Sequence, residues 1–120
     1  MFHPGQHNVN VDLGYYVSVH GLGASPTDTV LGNLMVLNAD NDFTNGALSN
    51  FWRSAENVKV TPNGPMIWAV SQAAPLRRTV VEGDLNLFHV SPGQQAGGYA
   101  SGGFMADVQV TGTVTSGSQQ

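Results

Sequence analysis

Residues Ser49 to Pro75 decide the fold: Ser49-Asn50-Phe51-Trp52-Arg53-Ser54-Ala55-Glu56-Asn57-Val58-Lys59-Val60-Thr61-Pro62, then Asn63-Gly64, then Trp68-Ala69-Val70-Ser71-Gln72-Ala73-Ala74-Pro75. Asn57 to Val60 alternates polar and apolar, the period of a half-buried strand, and Asn63-Gly64 then turns the chain. The same unit recurs on both sides: a short alternating strand, a small-residue corner, another short strand. Upstream, Val9, Val11, Leu13, Tyr15, Val17 and Val19 fall on one face of an unbroken alternation. They predict one long strand, ended by Gly21 to Pro26. Thr29 to Asn38 is a second apolar run, too short and too β-branched at its ends to read as a helix.

Downstream, Thr79, Val81, Leu85 and Leu87 oppose Arg78, Glu82, Asp84 and Asn86, with Gly83 as a bend. Ala106, Val108, Val110 and Val114 then alternate with Asp107, Gln109, Thr111 and Thr113. The strand centres Val58, Val81 and Val108 lie 23 and 27 residues apart. Self-similar units of roughly 20–30 residues, none able to bury its own face, mark a solenoid. No amphipathic helix separates the strands, so the expected object is an all-β chain wound as a parallel β-helix of a few rungs. A β-sandwich or jelly roll is the alternative, but it favours tight hairpins, and no two strands here are joined by a clean two-residue turn. Neither end of the chain reads as a polar cap. Residues 1–120 are therefore expected to form one β-helix segment of a longer chain, with open β-edges met by its remaining rungs or by self-association.

Composition narrows the partners. Apolar residues make up 41%, but charged residues only 10%, against roughly 25% in an average globular domain. Asn, Gln, Ser, Thr and Gly must supply the polar surface. A net charge of −4 with four Lys or Arg residues leaves no electrostatic footprint for nucleic acid or anionic lipid. There is no cysteine, hence no disulfide framework and no thiolate metal site. No run approaches the roughly 18 apolar residues of a membrane span. The opening Met1-Phe2-His3-Pro4-Gly5 is not a basic region followed by an apolar one, so it does not read as a signal peptide.

Several strings together resemble a known group: Asn50 to Asn57, Trp68 to Pro75, Arg77-Arg78, Gly83-Asp84-Leu85, Ser101-Gly102-Gly103-Phe104 and Ser118-Gln119-Gln120. Tyr16 to Thr29 fits the same group. The strings resemble secreted, mostly actinobacterial proteins with a right-handed β-helix of the pectin-lyase type. They are similar to exo-β-1,3-glucanases of glycoside hydrolase family 55. The resemblance implies a right-handed coil, an extracellular location and action on a polysaccharide such as β-1,3-glucan. It implies no cofactor. A non-catalytic, polysaccharide-binding or structural β-helix is the competing reading, since such coils host hydrolases, lyases and binders alike.

Glycoside hydrolysis uses two carboxyls flanking the scissile bond. On a β-helix, outward positions of adjacent rungs form lateral rows, and Asp12, Glu82, Asp84 and Asp107 are expected to line one groove. Glu82, Asp84, Asp107 and Glu56 are the candidate catalytic carboxylates; Trp52, Arg53, Arg78 and Asp12 are the candidate substrate contacts. Glu56 is read either as a carboxylate beside the Trp52 platform and the Arg53 cation, or as a Glu–Arg pair tying a corner. Trp52 is read as a sugar platform or a core ring, and Trp68, among Ile67, Ala69 and Val70, as core. One of Arg77 and Arg78 is expected to pair with Glu82 or Asp84. No metal is expected: His3 and His7 are separated by Pro4-Gly5, His20 and His89 lack neighbouring ligands, and Asp40 and Asp42 lack the rest of a calcium loop. Gly21-Leu22-Gly23 lacks the third glycine of a dinucleotide loop.

Overall fold

The computed structural model describes residues 1–37, 52–71, 73–90, 100 and 103–116. The strands are β1 (Gly5–Asp12), β2 (Ser18–His20), β3 (Thr29–Met35), β4 (Ser54–Val60), β5 (Met66–Ile67), β6 (Pro75–Val81), β7 (Leu85–Asn86), β8 (Phe104–Val110) and β9 (Val114–Thr115). Among the described residues the one helical element is a 3-10 turn, η1 (Pro26–Asp28), capped by Ser25. Every strand pair is parallel: β1-β3-β4-β6-β8 run side by side with β2 against β4, and β5-β7-β9 form a second sheet. This is a right-handed parallel β-helix, as the spacing and the resemblance lead one to expect.

Each rung has three sides. The first side is carried by β2 and the opening halves of β4, β6 and β8, and the second by the closing halves of those strands with β3. The third is carried by β5, β7, β9 and the end of β3, joined through the Val36–Trp68 bridge. The register stacks like on like. Leu31, Val60 and Val81 form one inward column and Thr29, Val58 and Thr79 the next, all fully buried. Burying each of the leucine and valine side chains contributes roughly 1.5–3 kcal/mol. The buried Thr79 hydroxyl is satisfied by donating to the Arg77 carbonyl at 2.9 Å. Trp68 is core, 1% exposed, and its indole N–H donates to the Ala74 carbonyl at 3.3 Å.

What turns a strand from the first side to the second is a left-handed residue. Asn57, Arg78 and Asp107 occupy equivalent positions on successive rungs, with φ of 59°, 46° and 54°. The bend resets the alternation. Ala106 therefore stacks on outward Arg77 rather than sharing the inward face of Val108. Asn57 secures the first such corner: its amide donates to the carbonyls of Gly21 at 2.9 Å and Gly23 at 2.7 Å. Gly21 has to be glycine here, because a Cβ would lie 2.0 Å from the Asn57 carbonyl oxygen. The third corner carries a glycine column, Gly32, Gly64, Gly83 and Gly112, each two residues before the buried Leu34, Met66 or Leu85, or before Val114, which stacks on Leu85 and is exposed at the last described rung.

The predicted long strand from Val9 to Val19 is two strands. β1 ends at Asp12, Tyr16 is left-handed (φ 58°), and β2 begins at Ser18. Leu13 and Val19 are buried, whereas Val9, Tyr15 and Val17 are exposed. A period-two pattern is blind to a single left-handed residue, and that residue carries the chain around a corner. Asp40, Asp42 and the polar loop around them lie outside the described residues, as does most of the loop after Ser91.

Asn57→Ala removes both side-chain hydrogen bonds of this corner and is expected to destabilise the protein by about 2 kcal/mol. A drop in the urea midpoint at unchanged m-value checks it.

Candidate functional site

The first side of the coil presents two outward ranks and is bounded by a corner. Alternation along β2, β4 and β6 puts Val19, Ala55 and Leu76 inside. It leaves Ser18, Ser54 and Pro75 outside as one rank and His20, Glu56 and Arg77 as the next. Two residues before the serine rank lies a corner formed by Tyr16, Trp52 and Ala73, with φ of 58°, 58° and 50°. Left-handed backbone suits Gly or Asn, and in a bulky residue it is a genuine outlier costing of order 1–3 kcal/mol.

Tyr16 and Trp52 stack with ring centroids 6.2 Å apart and planes inclined by 22°, and Tyr15 meets Tyr16 edge-on at 4.4 Å. Tyr16 is 73% and Trp52 52% exposed. Together with Ser18, Arg53, Ser54, Ala73 and Pro75 they line an open cleft of about 410 Å³. The Ser54 hydroxyl donates to the Ser18 hydroxyl at 2.7 Å, crossing from one rung to the next. Arg53 is a strut: its guanidinium donates to the Leu13 carbonyl. Partial burial lowers the Arg53 pKa, while Asp12 and Tyr15 nearby pull it back up. The Tyr15 phenol is raised above its ordinary value by partial burial and by Tyr16, with Arg53 acting the other way. Next to the cleft, Glu56 sits between His20 and Arg77 on the ladder, its Oε2 4.0 Å from His20 Nδ1.

Of the residues expected from sequence, the fold brings Trp52 and Arg53 into the cleft, with Glu56 one rank away and Asp12 close enough to act on Arg53. It does not gather Asp12, Glu82, Asp84 and Asp107 into one groove. Asp12 ends β1 on the third side, beside Met35. Glu82 and Asp84 lie at the glycine corner. Glu82 reaches Lys59 Nζ at 2.6 Å, and the Asp84 carboxylate accepts the Thr113 N–H at 2.8 Å. Asp107 stands at the opposite corner, in the Asn57 column. The corner residues re-aim each strand, so positions that alternate in sequence end up on different sides.

The anticipated pairing of an arginine with Glu82 or Asp84 is likewise replaced. Lys59, directly across the ladder from Val80, takes Glu82, and Arg78 reaches the Ala24 carbonyl at 3.4 Å. Glu56 faces His20 rather than Arg53, because Arg53 is held by Leu13. Sequence reading missed Tyr16, Ser18, His20 and Ser54. The signal that finds them is the register: once Ser18 is placed opposite Ser54, Tyr16 falls opposite Trp52.

No family model matches the chain. It is 46% identical over 122 residues to an exo-β-1,3-glucanase of Streptomyces sp. (strain SirexAA-E / ActE), aligning 100% of this chain with 19% of that protein. Among solved structures, sacteLam55A from Streptomyces sp. SirexAA-E superposes with a TM-score of 0.83 at 46% identity, covering 98% of this chain and 21% of the other. A glutamate-to-alanine variant of sacteLam55A in complex with glucose gives 0.76 at 44% identity, covering 93% and 20%. The chain is thus related to a segment of a family 55 glycoside hydrolase and spans about a fifth of the length of these relatives.

The Tyr15 shift sets a pH dependence. A phenol whose folded pKa is raised contributes stability that is fully present below its unfolded value near 10 and lost as pH rises through the folded value. The stability difference between wild type and Tyr15→Phe, from urea unfolding, is expected to be flat up to about pH 9 and to shift against wild type above about pH 10.

Proposed function

We propose that this chain is a segment of a secreted carbohydrate-active enzyme with a pectin-lyase-like β-helix. In this reading it is a glycoside hydrolase acting outside the cell on a polysaccharide such as β-1,3-glucan. The observation that carries the reading is the 46% identity to an exo-β-1,3-glucanase along the whole of this chain. The site agrees in kind: an open cleft with exposed aromatic rings and hydroxyls, and a carboxylate one rank away.

Glu56 is the carboxylate we assign to chemistry. It points outward on the same side as the cleft, and its neighbours across the ladder are His20 and Arg77. Either a proton donor or a base needs such reach to the sugar bond. Glu82 and Asp84, with Lys59 and Thr113 as partners, act as corner ties, and Asp107 and Arg78 as corner residues. Arg53 and Asp12 support the cleft from behind. Hydrolysis needs a second carboxyl roughly 5–10 Å from the first, and we place it on a part of the protein beyond the described rungs. At β1 and β8, the two edges of the large sheet, further rungs of a longer chain or a second copy would extend the same ladder.

The partnering of Glu82 and Asp84 also favours a second reading, a non-catalytic scaffold that binds polysaccharide. The two are separated by incubating the intact protein with β-1,3-glucan and measuring released reducing sugar. The hydrolase reading expects release, and expects Glu56→Gln to lower kcat by roughly a hundredfold or more. Binding of the glucan with no release would instead make this a scaffold. Release unaffected by Glu56→Gln would leave a hydrolase whose acid and base both lie elsewhere.

A further inference from the structure

We infer that Asn63 is a site of spontaneous covalent modification in the folded protein, losing ammonia through a cyclic imide and ending as aspartate or isoaspartate. Asparagine is one of the thermolabile residue types, and the reaction asks three things of the chain around it. The side-chain amide must be unengaged, the next backbone N–H must be unengaged, and that nitrogen needs room to close on the amide carbon. Asn63 and Gly64 meet all three. They are exposed at the corner between β4 and β5. Neither makes a hydrogen bond among the described residues. A Cβ added to Gly64 would meet nothing within 4 Å. Five residues, Thr61 to Pro65, pass from Val60 to Met66, where three suffice from Val81 to Leu85 and from Val110 to Val114. The corner therefore has slack. Its turn also uses Gly64 at φ 106°, which retains the one residue type that leaves the following nitrogen unshielded.

The bonds balance with water as the only co-reactant. The Gly64 nitrogen gives its proton to water or hydroxide and bonds to Asn63 Cγ. The Cγ–Nδ2 bond breaks, and Nδ2 takes up a proton and leaves as ammonia. Water then opens the imide. Attack at Cγ restores the ordinary main chain with an aspartate at position 63. Attack at the backbone carbonyl carbon leaves isoaspartate, with the main chain running through Cβ and Cγ. Either product adds one negative charge at this corner. The fold withholds the same chemistry from other asparagines. Asn57 is buried, and its amide is held by the Gly21 and Gly23 carbonyls. Beside Asn86 the next backbone nitrogen, that of Leu87, donates to the Thr115 carbonyl at 2.9 Å. Asn45, the other asparagine followed by glycine, lies outside the described residues.

Trypsin separates these residues. Cuts after Lys59 and Arg77 isolate Val60–Arg77, in which Asn63 is the one asparagine; Asn57 falls in Ser54–Lys59, and Asn86 lies beyond Arg78. The intact protein is incubated at mildly alkaline pH, well below its thermal midpoint, then digested and analysed by mass spectrometry. Isoaspartate is scored by isoaspartyl methyltransferase labelling. We expect Val60–Arg77 to gain the mass of an NH2-to-OH exchange, with fragment ions placing it on Asn63 and the methyl label entering the same peptide. The peptides holding Asn57 and Asn86 should keep their masses in the folded protein, and Asn57 should begin to convert when the incubation is repeated in urea. Asn63→Gln, a change at an exposed residue with no bond to lose, should abolish both signals from Val60–Arg77. The inference is overturned if Val60–Arg77 keeps its mass in the folded protein, if the gained mass lies on Gln72, or if Asn57 or Asn86 converts there as fast as Asn63. None of these readouts involves a sugar, so the site stands or falls apart from the function proposed above.

Discussion

The whole structure depends on one requirement: each rung must turn its corners without losing the parallel ladder to the rung beside it. Strand N–H and C=O groups find their partners one rung away, and a buried polar group without a partner is costly. Corners therefore stack as columns. Two columns solve the turn with left-handed residues, Asn57-Arg78-Asp107 and Tyr16-Trp52-Ala73, and a third with glycines at 32, 64, 83 and 112. Inside the frame so defined, apolar columns such as Leu31-Val60-Val81 contribute the stability.

The same requirement explains why so few charges suffice. Apart from the buried Thr29 and Thr79, the polar positions described point outward from a strand or into a corner, and corner polarity is used locally. Asn57 holds two carbonyls, and Asp84 holds the Thr113 N–H of the next rung. The carboxylates at corners are thereby structural, and the side of the coil that keeps unspent chemistry is the one bearing Tyr16, Trp52, the serine pair and Glu56.

Rung length varies most where the third side returns to the first. Trp68 to Pro75 makes that passage briefly, while Val36 to Ser54 and Leu87 to Phe104 take many more residues. The strands on either side of each passage keep their parallel register whatever its length.

Sequence alone determined that the chain is a strand solenoid, that Trp68 is core, and that Thr79, Val81 and Leu85 face inward. These follow from local alternation and from the spacing of like units, both properties of a chain read one residue at a time. The glycine column was also legible, as Gly-x-apolar at Gly32-Asn33-Leu34, Gly64-Pro65-Met66, Gly83-Asp84-Leu85 and Gly112-Thr113-Val114, once the rungs are aligned. Tertiary structure alone decided which outward residues share a side. Left-handed Tyr16, Asn57, Arg78 and Asp107 each redirect the chain; Asn and Asp accept that backbone more readily than most residues, but Tyr16 and Arg78 carry no such signal. That is why Asp12, Glu82, Asp84 and Asp107, aligned on paper, lie apart, and why Tyr16 meets Trp52 across a long stretch of sequence. Backbone handedness at a corner is imposed by the ladder on both sides of it, and the ladder exists only when the rungs are stacked.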